Sequence, residues 1–145
     1  MKIENFSMKD YGEIIQIWKA SGINVGSSDS KEEIEIVFHR NPKLFLVGKI
    51  DDEIISVVIG GFDGRRGYVH HLAVSPKYQR KGYGTQLINE LNERFKKMGV
   101  HKVHLFIEND NDKVINFYKN LDWEIRDDLI MMSFVPDEKL YKRNS

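Results

Sequence analysis

The chain contains no cysteine. Disulfide scaffolds, thiolate metal sites and cysteine nucleophiles are therefore excluded. It has three prolines, Pro42, Pro76 and Pro136, and each falls where the pattern already marks the end of an element. It has no net charge, with Lys+Arg and Asp+Glu balanced at 22 each. A nucleic-acid partner usually demands a basic surplus or stripe, and the chain offers only a short basic cluster at 77–81. No apolar run approaches the ~20 residues that a membrane helix needs. The opening MKIENFSMKD has no apolar core, so no signal peptide is expected. The expectation is a soluble cytoplasmic protein with no nucleic-acid or membrane partner.

What is present fits one folded unit. At 145 residues, 41% hydrophobic and 30% charged, the chain can bury a single core and is not disordered in composition. One domain over 1–145 is expected, with a polar, frayed tail over 136–145. Residues 2–6 read as a strand. Ser7 with Asp10, and Ser30 with Glu33, mark two helix starts. Ile14, Ile15, Ile17 and Trp18 face the first helix inward, and Ile34, Val37 and Phe38 the second. Leu44–Ile50 and Glu53–Gly60 are β-branched runs joined by Asp51-Asp52, which predicts a hairpin. Tyr68–Val74 is the next strand. From Gly82 the period turns helical, with Leu87, Ile88, Leu91, Phe95 and Met98 on one face and Gly99 at the C-terminus. A strand over 102–107, a helix over 112–120 and strands over 123–126 and 129–135 complete the order.

The loop between strand 68–74 and the helix after it carries the chemistry. A helix start offers backbone N–H groups without internal partners and the positive end of the macrodipole. Gly82 and Gly84 let another molecule approach the backbone, and Arg80 and Lys81 add cations. Together these predict a diphosphate site. The dinucleotide fingerprint fails because Leu87 stands where its third glycine belongs. A P-loop fails because Lys81 precedes Gly82.

The run Gln79-Arg80-Lys81-Gly82-Tyr83-Gly84, following Leu72-Ala73-Val74, resembles the signature of the GNAT superfamily of N-acetyltransferases. The resemblance extends over nearly the whole chain. Gly60-Gly61-Phe62-Asp63-Gly64 and Asp110-Asn111-Asp112 resemble the small bacterial YpeA-type subgroup. It implies an α/β (α+β) fold in one domain. Its twisted sheet would be mixed, mostly antiparallel and of about seven strands, with about four helices on both faces and a splay between strands 68–74 and 102–107. It implies acetyl-CoA as co-substrate and no metal. Main-chain groups of Leu72, Ala73 and Val74 would hold the pantetheine arm. Arg80, Lys81, Gly82, Tyr83, Gly84 and Thr85 would wrap the pyrophosphate.

Acetyl transfer to an amine needs a neutral amine, a stabilised oxyanion and a proton for the leaving thiolate. By resemblance Asn111 contacts the cofactor arm and Tyr118 is the acid. A phenol of pKa ~10 holds its proton at neutral pH. The base differs from the commonest family pattern, because Tyr68 stands where some members carry a glutamate. His70 matches the histidine of arylalkylamine acetyltransferases, and Glu108 loosely matches a carboxylate of N-terminal alanine acetyltransferases. His70 and His71 point to opposite faces unless a bulge intervenes. His39, His101 and His104 read as structural. Freeing a lysine-type amine at pH 7 costs roughly 4.6 kcal/mol, an α-amine about 1–1.4 kcal/mol, so a base matters more for the first.

The reaction implied is direct attack by a primary amine of a small molecule or peptide on acetyl-CoA in a ternary complex. The chain would be a monomer or homodimer. The rival is a catalytically silent acyl-CoA-binding sensor or interaction module, against which the presence of Tyr118 and Asn111 argues. Residues 20–30 (ASGINVGSSDS) border the acceptor by resemblance and read as a flexible loop with one acid, Asp29. In Leu121-Asp122-Trp123 an aspartate replaces the family's glycine at a position of positive φ, which predicts local strain there.

Overall fold

The turn at Asp51-Asp52 sets the central hairpin. Both residues take positive φ, 50° and 65°, the mirror-image turn whose twist suits two antiparallel strands. It joins β2 (Phe45–Ile50) to β3 (Glu53–Phe62). In this computed structural model, which describes residues 1–141, β1 (Lys2–Asn5) pairs antiparallel with β2, and β3 pairs antiparallel with β4 (Gly67–Val74). Strand β5 (Val103–Leu105) then pairs parallel with β4. The right connection for a parallel pair is a crossover helix, here α3 (Tyr83–Lys97). The order in the sheet is β1-β2-β3-β4-β5.

Helices cover both faces, which explains why β3 reads as a continuous apolar run. On one face α1 (Tyr11–Ala20) and α2 (Lys31–Arg40) pack Ile14, Trp18 and Ile34 against Val47, Val57 and Ala73. On the other, α3 and α4 (Asp112–Lys119) pack Leu87, Leu91 and Tyr118 against Leu46, Val58 and Val69. Ser30 caps α2 as the sequence marks, whereas Ser7 opens a 3-10 turn, Met8–Asp10, and Asp10 is the N-cap of α1. Ser30 Oγ accepts from Glu33 N–H at 3.3 Å, and Ser7 N–H donates to the Asp10 carboxylate at 3.1 Å.

The C-terminal part differs from the expectation. Five strands, not about seven, form the sheet among the described residues, and the sheet is mixed, antiparallel at three of its four pairings and parallel at β4–β5. Residues 123–126 and 129–135 are not strands. Strand β5 ends at Leu105 instead of 107, so only a three-residue edge is available to pair with them. Ile130, Met132 and Phe134 are consequently 89%, 90% and 86% exposed. Propensity describes a fit to a half-buried pleated surface, and without an adjoining ladder it forms no strand. Of the expected frayed tail over 136–145, residues 136–141 are exposed and 142–145 lie outside the described residues.

Asp122 takes φ 68°, as the comparison with glycine predicts. Its N–H donates to Lys119 O at 3.0 Å and closes α4. A left-handed residue costs roughly 1–2 kcal/mol, less for aspartate, whereas glycine loses more entropy on folding. Asp122→Gly is therefore expected to raise stability by up to about 1 kcal/mol. A thermal melt checks this, and a lower Tm would contradict the strain.

Candidate active site

Strand β4 ends at Val74, and Pro76–Tyr78 form a single 3-10 turn before α3. Gln79 folds back, its Nε2 donating to Val74 O at 2.8 Å. This bond fixes the loop to the strand it leaves, a role the sequence did not assign to Gln79. Arg80 then takes φ 63° and Gly82 φ 84° as the N-cap of α3. The first helical bond runs from Gln86 N–H to Gly82 O, 3.1 Å. The backbone N–H groups of Arg80, Lys81, Gly82, Tyr83, Gly84 and Thr85 have no acceptor among the described residues. Successive amides in alternating right- and left-handed conformation form a concave anion-binding nest. Here it lies at the positive end of a 15-residue helix. The Arg80 and Lys81 side chains are exposed beside it, and Lys81 Nζ sits 5.7 Å from the Tyr78 ring centroid.

The nest abuts α4. A Cβ at Gly84 would stand 3.5 Å from the Phe117 ring and 3.6 Å from Val74 Cγ2, in ordinary contact. The protein's own packing therefore does not require glycine at 84, and the short side chain leaves the backbone open to an approaching group. Phe117 touches the next residue, Tyr118, ring to ring at 5.0 Å, and Tyr118 touches Trp123 at 5.3 Å. Tyr118 is buried, and burial pushes its phenol well above the ordinary tyrosine value. Its hydroxyl makes no hydrogen bond among the described residues, yet no buried side-chain oxygen there lacks a partner. The hydroxyl therefore reaches an opening. Asn111 caps α4, its Oδ1 accepting from Val114 N–H at 3.2 Å, which leaves its amide NH2 free to donate.

The edge of β4 opens between these features. β5 pairs with Gly67, Tyr68 and Val69 and no further. Ala73 lies opposite Val57, and Ser75 N–H donates to Ile55 O at 2.7 Å. By alternation the main-chain groups of Leu72 and Val74 face the unpaired edge. Val74 O is already engaged there by Gln79 and by Ser21 Oγ, at 3.1 Å. Ala73 faces β3, so of the three residues expected to offer main chain it is the one turned away.

A bulge interrupts β4 at the histidines. Ile59 pairs with His70 and Val57 with Ala73, so His71 and Leu72 together oppose Val58. His71 takes φ 52°. The extra residue brings both histidines to one face. Val69 belongs to the α3 side, so Tyr68 and His70 face α1, and their rings stack at 6.3 Å. His71 faces the same way, its ring 4.9 Å from Trp18 of α1, and Trp18 Nε1 donates to His71 O at 2.9 Å. His70 is open to solvent on one side, but desolvation, and secondarily His71, lower its pKa, so it is neutral at pH 7. His104, expected to be structural, lies 6.1 Å from Tyr68 on the neighbouring strand.

Asp29 differs from the expected flexible loop acid. It is 8% exposed, and its Oδ1 lies 3.0 Å from His71 Nε2. Its Oδ2 accepts Gly26 N–H at 2.9 Å. Burial pushes its pKa up, but the hydrogen bonds from His71 and Gly26 outweigh that, and the net direction is down. Glu108 lies past the end of β5, exposed, with its carbonyl accepting Asn111 N–H at 3.0 Å. Among the described residues no three His, Asp or Glu side chains converge as a metal site requires. No helix there is long and apolar enough to cross a membrane.

The family profile described as the acetyltransferase (GNAT) family matches residues 11–123. The chain belongs to that family. It is 33% identical over 131 residues to an acetyltransferase of Yersinia pestis (strain Pestoides F), covering 90% of this chain and 93% of that one. It is 31% identical over 141 residues to an acetyltransferase of Pectobacterium atrosepticum, covering 97% and 100%. Among solved structures, the fold of this acetyltransferase resembles Ard1 from Thermoplasma volcanium, with a TM-score of 0.79 at 22% identity, covering 86% and 83% of the two chains. It equally resembles the PaiA N-acetyltransferase from Thermoplasma acidophilum in complex with coenzyme A, with a TM-score of 0.79 at 22% identity, covering 87% and 91%.

Proposed function

We propose that this family member transfers the acetyl group of acetyl-CoA to a primary amine of a small molecule or peptide, by direct attack in a ternary complex. The observation that carries the reading is the run of six free amides from Arg80 to Thr85, opening beside the unpaired edge of β4. A nest of this kind suits a diphosphate, and an open strand edge suits an amide-bearing arm. Coenzyme A joins both in one molecule. One Yersinia pestis relative, 33% identical, is described as an uncharacterized N-acetyltransferase, and the PaiA structure holds coenzyme A.

In this reading Arg80 to Thr85 bind the pyrophosphate, and the edge groups of Leu72 and Val74 meet the pantetheine arm, with Ala73 between them setting the strand. The free amide of Asn111 contacts the arm. Tyr118 supplies the proton to the leaving thiolate. A phenol near pKa 10 is about 1.5 units above a thiol near 8.5, an uphill step of roughly 2 kcal/mol at 1.36 per unit. Burial raises the phenol further, but a thiolate forming in the same apolar surroundings is raised too. Tyr118 therefore holds its hydrogen bond to the sulfur as charge develops and completes the transfer as the C–S bond breaks. Neutral His70 and exposed Glu108 are the groups carried over as bases.

The test is release of coenzyme A thiol from acetyl-CoA against a panel of peptides, amino acids, polyamines and aminoglycosides. Release with at least one amine, with an N-acetyl product by mass spectrometry, is expected. Tight acetyl-CoA binding without release for any acceptor would identify a silent acyl-CoA sensor instead.

A further inference from the structure

The strongest arrangement that the reading above leaves unused is the pair Asp29–His71. It joins the loop after α1 to the bulge of β4, 42 residues apart. Resting on the transferase reading, the geometry points to His71 as the base that takes the proton of the acceptor amine, with Asp29 as the positioning residue that sets its tautomer and ring orientation.

Four observations support this. First, the bulge holds His71 in the left-handed region, φ 52°, a conformation that persists only where the surrounding structure enforces it. Second, the ring is held on two sides, by Trp18 at 4.9 Å and by the Asp29 carboxylate at 3.0 Å. Third, Asp29 is ionised, because its pKa is held low. An ionised carboxylate only accepts, so Nε2 carries the hydrogen, and in the neutral imidazole the lone pair is on Nδ1. Fourth, Nδ1 has no hydrogen bond among the described residues, and it is not sealed, since no buried side-chain nitrogen there is unpartnered. The His71 side chain is 32% exposed, against 11% for Asp29. A carboxylate behind an imidazole, and a lone pair in front of it, is the base-and-orienter arrangement of nucleophile activation.

The location agrees. His71 lies on the α1 face, immediately before the strand residues whose edge is open, while Tyr118 belongs to the α4 face. An acetyl group held in the gap between β4 and β5 would meet the base from one face and the acid from the other. His71 Nδ1 takes one proton from the ammonium, and the amine nitrogen forms the C–N bond. The tetrahedral centre expels sulfur, which takes the Tyr118 proton as the C–S bond breaks. The second nitrogen proton leaves to solvent and the imidazolium proton of His71 returns through solvent to the Tyr118 phenolate, so one proton is released overall. The titratable groups facing the pair are Asp29 from the loop, Tyr11 from α1, Glu32 from α2 and His70 on the strand itself. Tyr11 Oη donates to Asp29 O at 2.8 Å. Its pKa is raised by burial first and then by Asp29 and Glu32, so it is neutral throughout the working range.

The test compares wild type, His71→Asn, Asp29→Asn and His70→Ala, using acetyl-CoA and the best acceptor of the panel. Asparagine tolerates positive φ and can still donate to Asp29, so His71→Asn preserves the fold without a base. Its kcat/KM for the acceptor is expected to fall about 10²–10⁴-fold at pH 7, more than for His70→Ala, with KM for acetyl-CoA unchanged. For a lysine-type acceptor the deficit should shrink as pH nears 10, where the amine loses its own proton. Asp29→Asn should lose less. Imidazole nitrogen NMR should show the Nε2–H tautomer of His71 in wild type and a mixed population in Asp29→Asn. Unchanged kcat/KM in His71→Asn, a deficit independent of pH, or an Nδ1–H tautomer in wild type would each overturn the assignment. If wild type itself releases no thiol with any acceptor, the transferase reading fails and the base falls with it. Equal turnover in wild type and His71→Asn removes the base alone.

Discussion

Replacing Tyr118 by phenylalanine is expected to lower kcat about 10²-fold or more, while the dissociation constant for acetyl-CoA changes less than twofold. Phenylalanine keeps the ring contacts to Phe117 and Trp123, so the packing of α4 survives the change. What is removed is one hydroxyl, which makes no hydrogen bond to the described protein. An effect on turnover can then arise only from a bound group. The pH profile adds a second reading. Burial raises the phenol pKa, so the acid form persists as pH climbs through and past the ordinary tyrosine value. Wild-type kcat should show no alkaline decline up to about pH 10, the unperturbed tyrosine value. A basic limb near pH 8–9, or full turnover in Tyr118→Phe, would remove Tyr118 as the acid. Stopped-flow thiol release and calorimetric titration with acetyl-CoA separate the two quantities.

Reversing the loop cations is the second large perturbation. Two charge-assisted hydrogen bonds would be worth about 1.5–3 kcal/mol each in a sheltered site. Arg80 and Lys81 are exposed, so screening reduces their joint contribution to about 2–3 kcal/mol. The double variant Arg80→Glu with Lys81→Glu is therefore expected to weaken acetyl-CoA binding about 30- to 150-fold at low salt, at 1.36 kcal/mol per factor of ten. The loss should diminish as salt rises. The nest amides remain, so binding is weakened and not abolished. Calorimetry at two ionic strengths measures this, and equal affinity in variant and wild type would place the diphosphate elsewhere.

The local signals in the sequence were sound where a short stretch decides its own conformation. Ser30 caps α2, Asp51-Asp52 turns the hairpin, and Gly82 opens α3 in the left-handed region. Each outcome follows from the chemistry of a few neighbouring residues. The same holds for Asp122, where substitution of an expected glycine foretold a positive φ. The signals were weakest where a segment depends on a distant edge. Residues 129–135 have strand composition, but the ladder they would extend stops at Leu105. Asp29 likewise read as a flexible loop acid, because nothing within 20–30 announces that a histidine 42 residues away will hold it.

The loop over 79–82, the start of α3 and the helix that follows Asn111 were therefore legible from the sequence alone. All are built by contiguous residues whose backbone preferences are local, and the family follows from their order. Tertiary structure decided which side of the sheet each histidine faces. Period-two alternation placed His70 and His71 on opposite faces, and a single extra residue opposite Val58 reversed that for His71. A bulge is set by the register of two strands, which in turn is set by the packing of Val57, Ile59 and Ala73 under α1. That register is a property of the assembled sheet, and so the pairing of His71 with Asp29 exists only once the fold is complete.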